Sequence, residues 1–406
     1  MGKNQDASRQ VFSKYGLTPQ EEMLEVYQQK KKFSIGIPLE TSMQEARVPL
    51  APLSVASLIE SGHKVVIQRS AGKQAHFTDE KYASYGAIMV DKADEVFQSD
   101  VMVKIAPFTE KEIDLMHPEQ IVFSSIHASS QSKGYFSRII RKKVVAIAYD
   151  MLKDEQNSYP IVRSMSEIAG RSSIMIAAEY LSNVHNGKGE MLGGMTGVKP
   201  SEIVILGAGT AGENAARTAQ GMGAQVRIFD KSVHRLTRLL NTLNRPVFTS
   251  VLQPQVLERV LRSADVLIGA VRMMDIAPMS IVTEDMVKKM KKNSVIVDIS
   301  IDQGGCVETS RMTNHNEPVY TKHGIVHYCV PNIAARVGRT ASYAMSNILA
   351  PVLLELGESG SVLNFLKNYK GYRNGVYAYN GILTKKLIGD MFDMNSRDID
   401  LLISAM

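Results

Sequence analysis

The stretch Glu202-Ile-Val-Ile-Leu206-Gly207-Ala-Gly209-Thr-Ala-Gly212 decides the fold. An apolar run of strand character enters Gly-x-Gly-x-x-Gly, and the following Glu-Asn-Ala-Ala-Arg-Thr-Ala-Gln continues as a helix. Each glycine has a separate task. Gly207 permits the tight turn, Gly209 lets a pyrophosphate approach the backbone, and Gly212 lets the helix pack against the strand. The helix N-terminus then faces the phosphates with its free N–H groups and the positive end of its dipole. Gln225-Val-Arg-Ile-Phe-Asp230 reads as the next strand and ends in an acid. A carboxylate there suits the adenosine ribose hydroxyls and repels a 2′-phosphate. The expected cofactor is NAD, bound through Gly207, Gly209, Gly212 and Asp230.

Working outward, the alternation continues on both sides. Downstream, Ala264–Val271 is a strand entering a loop, and Ser294–Cys306 is a strand entering the turn Asp302-Gln-Gly304-Gly305-Cys306. Ligands of such sheets bind beyond the carboxyl ends of the strands, which places Asp302 near the nicotinamide. Upstream, strands are expected over Phe33–Pro38, His63–Gln68, Asp100–Ile105, Gln120–Ile126 and Val144–Tyr149, separated by helical patterns. A long helix is expected from Ser164, with Glu167 completing a capping box, to about Asn183. A glycine-rich connector covers 186–197, and a final long helix is expected from Thr340 to about Leu356, kinked at Pro351. Strand–helix alternation at this spacing means βαβ units around parallel sheets. The fold class is α/β: two Rossmann-like doubly wound domains joined by long helices, with a cleft between them. The expected division is an N-terminal extension over 1–33, a discontinuous substrate domain over 34–160 plus 337–406, and an NAD-binding domain over 161–336. Within the extension, Met23, Leu24, Val26 and Tyr27 form a helix-like patch.

Composition narrows the function. The chain has 406 residues, 44% hydrophobic and 22% charged, which fits a globular protein of two or three domains. No apolar run approaches the ~18 residues of a membrane span, and the polar N-terminus is not expected to be a secretory signal. With two cysteines, a disulfide framework is excluded and a reducing cytoplasm is the expected compartment. The net charge of +6 is spread over short, distant basic runs, and tryptophan is absent. Stacking platforms are scarce, so no nucleic-acid partner is expected. The histidines and cysteines show no metal-ligand spacing, and no metal is expected.

The motifs resemble the family of L-alanine dehydrogenase and the NAD(H)-binding subunit of proton-translocating transhydrogenase. The resemblance rests on Ile35-Gly-Ile-Pro38 with Glu45-Ala-Arg47-Val, on Ser125-Ile-His127-Ala and on Ser164-Met165-Ser166-Glu-Ile-Ala-Gly-Arg171. It continues through the glycine turn, Asp302-Gln-Gly-Gly-Cys-Val-Glu-Thr-Ser-Arg311 and His327-Tyr-Cys-Val-Pro-Asn332. The Asp302–Arg311 stretch favours the alanine dehydrogenase branch. The resemblance implies NAD-dependent oxidative deamination of L-alanine to pyruvate and ammonia by a homo-oligomer, a hexamer in that family. It implies His127 as acid and base, Asp302 as activator of the added water or ammonia, and Arg47 as clamp for the substrate carboxylate. Met165, Ser166 and Asn332 would lie near the cofactor. Where the family shows Lys-Val-Lys-Glu-Pro, this chain has Lys104 at the first lysine and Ala106 at the second. If 103–106 is a strand, Lys104 and Ala106 share a face. Lys104 is then expected to reach past Ala106 and supply the second cation for the substrate. The loop Arg272–Pro278 lacks the family's Pro-Gly-Ala-Lys pattern. The alternatives are a related dehydrogenase with another amino acid as substrate, and an NAD(H)-binding transhydrogenase-like subunit or sensor.

Overall fold

A computed structural model describes residues 30–42, 44–243, 245–271 and 280–405. The helix-like patch of the extension and the loop Arg272–Pro278 lie outside the described residues. Apolar runs buried on both faces become parallel strands, because helices must cover each side of such a sheet. The first sheet takes β1 (Ser34–Ile37), β2 (Lys64–Gln68), β3 (Ile88–Val90), β4 (Val101–Val103), β5 (Ile121–Ser124) and β6 (Val145–Ala148). The second takes β7 (Glu202–Leu206), β8 (Gln225–Asp230), β9 (Phe248–Val251), β10 (Val266–Gly269), β11 (Val295–Asp298), β12 (Val319–Lys322) and β13 (Ile325–Tyr328). The chain then returns to the first sheet with β14 (Val376–Tyr379) and β15 (Ile382–Leu383).

The strand orders are β15-β14-β6-β5-β4-β1-β2-β3 and β12-β13-β11-β10-β7-β8-β9. β1 to β6 pair in parallel, and β14 adds antiparallel to β6. β7 to β11 and β13 are parallel in the same way, with β12 antiparallel at the edge. Each sheet therefore reverses its winding once, between β1 and β4 and between β7 and β10. The loops leaving those strands diverge and open a crevice.

Two long helices join the sheets. α1 (Pro160–Leu181) begins with proline at its first turn rather than at a Ser164 cap. Pro160 lacks the N–H that a first turn leaves unpaired, so it starts the helix four residues early. Ser164 is interior, and its hydroxyl donates to the Ile161 carbonyl. α2 (Thr210–Gly221) follows the glycine turn. A Cβ at Gly170 would collide with the Ala211 carbonyl, so only glycine at that position lets α1 and α2 approach this closely. α3 (Gly338–Glu358) includes Pro351 and carries the chain back to the first sheet. Among the described residues, no single helix is long and apolar enough to cross a membrane.

A buried ionic knot fills the reversal point of the first sheet. β4 stops at Val103, so the alternation that would aim Lys104 along Ala106 ends before it. Lys104 turns inward with its side chain fully buried. Its ammonium donates to Glu112 Oε2 at 2.9 Å and to the Pro107 carbonyl at 3.4 Å, with Glu40 Oε2 3.9 Å away. Glu112 is available because it closes a capping box with Thr109 on the helix Glu110–Leu115. An ammonium in the interior requires such partners, since an unpaired buried charge costs several kcal/mol. The expected reach of Lys104 to a substrate carboxylate is thus corrected: its charge is answered inside the domain.

Glu40, 5% exposed, accepts from the backbone N–H groups of Ile105 and Ala106. Burial pushes its carboxyl up to about 7, against the opposing pull of Lys104 and the Ile105 amide. The folded protein therefore holds a proton on Glu40 that the unfolded chain releases near its ordinary value of 4.5. Stability from this group is present below that value and is lost as pH rises toward 7. The expected loss is on the order of 3 kcal/mol. Glu40→Gln removes the titration, so its thermal midpoint should stay flatter than that of the parent between pH 4.5 and 7. Melting curves across that window check this, and identical pH slopes would refute it.

Candidate functional site

The glycine turn forms as its sequence requires. Gly207 has φ +101°, and a Cβ there would stand 2.4 Å from the Ala270 carbonyl at the end of β10. A Cβ at Gly212 would fall 1.8 Å from the Gly207 carbonyl, so only glycine lets α2 sit this close. A Cβ at Gly209 would meet nothing within 4 Å, which leaves the open cradle a pyrophosphate needs. Gly209 caps α2, whose first N–H groups face that space.

Asp230 is 3% exposed at the end of β8. One carboxylate oxygen accepts from the Ala208 N–H at 2.7 Å and the other from the Ser232 N–H at 2.8 Å. Asp230 thus ties the glycine turn to its own strand, and a carboxylate retains further lone pairs for a hydroxyl donor. Arg235 Nη1 stands 4.0 Å away. These residues fit a dinucleotide without a 2′-phosphate.

Four of the remaining candidates follow strand carboxyl ends. Arg47 lies beyond β1, His127 beyond β5, Asp302 beyond β11 and Asn332 beyond β13. His127 is exposed and adopts the left-handed region, φ 41°, at the start of a short 3₁₀ turn. Its carbonyl accepts from the Ser130 hydroxyl at 2.8 Å, which fixes the turn. Asp302 belongs to the 3₁₀ turn Ile299–Gln303, and its Oδ1 accepts from the Asn332 N–H at 3.2 Å. Surrounding protein raises the Asp302 carboxyl above its usual range, opposed by the Asn332 amide and by the charges of His127 and Arg47. Asp302 is itself open to solvent, and its contact with Asn332 places it beside the Glu45–Arg47 pair of the other sheet. Ser166 is half-buried on α1, one residue from Met165, whose sulfur faces Arg47 Nη1 at 3.4 Å.

Two residues to which the sequence reading gave no role hold this arrangement. Glu45 is 5% exposed and takes Arg47 Nε on one oxygen and Nη2 on the other, both at 2.7 Å. The Asn332 side-chain amide donates to Glu45 Oε2 at 2.8 Å. Burial alone would raise the Glu45 carboxyl, but the Arg47 charge and hydrogen bonds, with Asn332, hold it below its usual range. The second is Asp298, 1% exposed beneath the Asp302 turn. It accepts from the N–H groups of Ser300 and Cys306, both at 3.0 Å, and from the Ser310 hydroxyl at 2.8 Å. These bonds fold residues 299–310 into the shape that presents Asp302. An acid two positions before an arginine is a weak signal for Glu45, and Asp298 reads as the last residue of a strand. Among the described residues, no group of three His, Cys, Asp or Glu side chains could hold a metal ion.

Comparison with known proteins agrees with this geometry. The family model "Alanine dehydrogenase/PNT, N-terminal domain" matches residues 36–169, and "Alanine dehydrogenase/PNT, C-terminal domain" matches 173–386. An alanine dehydrogenase of Staphylococcus saprophyticus is 37% identical over 367 residues, covering 90% of this chain and 98% of the relative. Alanine dehydrogenase 2 of Staphylococcus aureus is similar to the same extent. A solved L-alanine dehydrogenase superposes with a TM-score of 0.84 at 36% identity, over 89% of this chain and 99% of that one. A transhydrogenase from Sinorhizobium meliloti shares the fold, with a TM-score of 0.75 at 20% identity over 86% and 98% of the two chains. The chain belongs to the alanine dehydrogenase/PNT family.

Proposed function

We propose that this protein catalyses the reversible NAD-dependent oxidative deamination of L-alanine to pyruvate and ammonia, as a homo-oligomer in the cytoplasm. The hexamer of the resembling family is the assembly to expect. On this reading, 34–160 with 337–406 bind the substrate and 161–336 bind the dinucleotide. The observation that carries it is the chain of contacts that brings the Arg47–Glu45 pair, from one sheet, to Asn332 and through it to Asp302, on the other.

NAD, when bound, supplies the hydride acceptor for the substrate Cα. The glycine turn and Asp230 would hold it at the carboxyl end of the second sheet, with Ser166 beside it. The Arg47 guanidinium binds the alanine carboxylate and fixes the orientation of Cα. His127 takes the proton that leaves the amino group and returns one in the reverse direction. The Asp302 carboxylate accepts a hydrogen bond from water and holds it against the imine carbon, so hydration yields pyruvate and ammonia. Facing sheets around the cleft exclude bulk water when they close, which strengthens each of these contacts. Because the surrounding protein raises the Asp302 carboxyl, its protonation should limit activity at a higher pH than an ordinary aspartate would.

A second reading is a related dehydrogenase for another amino acid. It is favoured by the buried Lys104–Glu112 pair, which leaves Arg47 as the cation identified for the substrate carboxylate. NADH oxidation with ammonia and a panel of oxo acids separates the two. Pyruvate should give the highest kcat/KM; a larger oxo acid in first place would favour the second reading, and no turnover with any would overturn both. Asp302→Asn and His127→Ala should each lower turnover at least ~100-fold, the usual worth of a positioned acid or base, with little change in NADH affinity. Near-normal turnover in either variant would remove that residue from the mechanism.

A further inference from the structure

Glu45 and Asn332 meet across the cleft. Glu45 stands on the connection after β1 in the first sheet, and Asn332 follows β13 in the second. The Asn332 amide donates to Glu45 Oε2 at 2.8 Å, and the same oxygen accepts from Arg47 Nη2 at 2.7 Å. At the other end, the Asn332 backbone N–H donates to Asp302 Oδ1 at 3.2 Å. One residue therefore touches both the ion pair that holds Arg47 and the carboxylate of Asp302. Its backbone makes this reach from the left-handed region, φ 54°, which asparagine and aspartate tolerate better than other side chains with a Cβ. A second stitch lies alongside: Gln44 Oε1 accepts from the His315 N–H at 2.8 Å.

We propose that Glu45 and Asn332 form a latch between the two sheets that sets the separation of Arg47 from Asp302, so that both are positioning residues. The proposal rests on the function assigned above and adds to it. Arg47 and Asp302 sit on different sheets, and a small shift between the sheets would misplace one relative to the other. The latch converts two independent loops into one frame. It also explains the depth at which Arg47 sits, since Glu45 answers its charge while Asn332 answers the second lone pair of Glu45 Oε2. The role of Asn332 in this scheme is directed at Glu45 and Asp302 rather than at the cofactor.

The pair permits an exchange of donor and acceptor. Asn332→Asp sets two carboxylates against each other across the cleft. Adding Glu45→Gln returns an amide–carboxylate pair of the original total charge, with near-identical side-chain sizes. Three readouts apply to the parent, N332D, E45Q and the double variant: kinetics with pyruvate and ammonia, NADH affinity from its fluorescence, and deuterium exchange over 44–48 and 331–337. N332D should lower kcat/KM for pyruvate about 10-fold or more, the scale of a lost hydrogen bond to a charged group. It should speed exchange in both segments and leave NADH affinity within about twofold, a split expected of a residue that positions the substrate clamp. The double variant should recover part of both losses, as coupled residues do in a mutant cycle. Exchange at 44–48 unchanged in N332D, no recovery in the double variant, or NADH affinity falling in step with kcat/KM would each overturn the latch. Absence of turnover in the parent would instead overturn the assigned function, and the exchange data would still decide the latch.

Discussion

A parallel sheet covered by helices on both faces can receive a ligand only where its winding reverses, and the protein places two such reversals face to face. Between β1 and β4, and again between β7 and β10, neighbouring loops leave in opposite directions. The rest follows from filling or lining those two openings. The glycine turn lies in one because backbone must approach both Ala270 and a ligand. Glu40, Lys104 and the Glu45–Arg47 pair lie at the other. Residues as distant in sequence as Glu45, Asp302 and Asn332 become neighbours because each follows the carboxyl end of its strand.

Charge buried at such an opening has to be answered nearby, and this chain does so twice in different ways. Lys104 is neutralised by Glu112, a side chain already fixed by its capping box. The result is a rigid floor under the first opening. Arg47 is neutralised by Glu45, but its partner is shared with Asn332 on the other sheet. The first pair stabilises one domain, whereas the second links two. A guanidinium suits that position because its planar fork gives two parallel bonds to one carboxylate and keeps further donors free, a bidentate match an ammonium lacks.

The parts of this arrangement legible in the sequence are those with local causes. The strand, glycine turn, helix and terminal acid from Glu202 to Asp230 are set by backbone requirements within thirty residues, and the structure matches them. Edge and returning strands are less legible. β3 has no fully buried position, so its apolar pattern is weak. β14 joins β6 more than two hundred residues after it, and no local pattern encodes such pairing. The Lys104 expectation failed for a related reason: it assumed that alternation persists past Val103, where the strand ends. Ser164 looked like a helix cap because the capping pattern was present, but Pro160 preceded it and took precedence. Glu45 was quoted in a motif but given no role, because its partner Asn332 is 287 residues away.

The Glu45 bond also constrains how Arg47 can meet a ligand. A guanidinium offers two edges to a carboxylate, one formed by Nε with Nη2 and one by Nη1 with Nη2. Glu45 fills the first edge completely, with both contacts at 2.7 Å. The second edge remains, and it faces Met165, whose sulfur is a weak acceptor that a carboxylate readily displaces. If Arg47 is the clamp proposed above, a substrate carboxylate enters from the α1 side and binds end-on, against a cation already paired with Glu45. Such binding is weaker than that of a free guanidinium, and it is directional. Directionality is what hydride transfer requires, because the carboxylate plane and the approach angle of Cα are then fixed by the same two hydrogen bonds. On that proposal, the internal acid trades affinity of the clamp for a fixed aim.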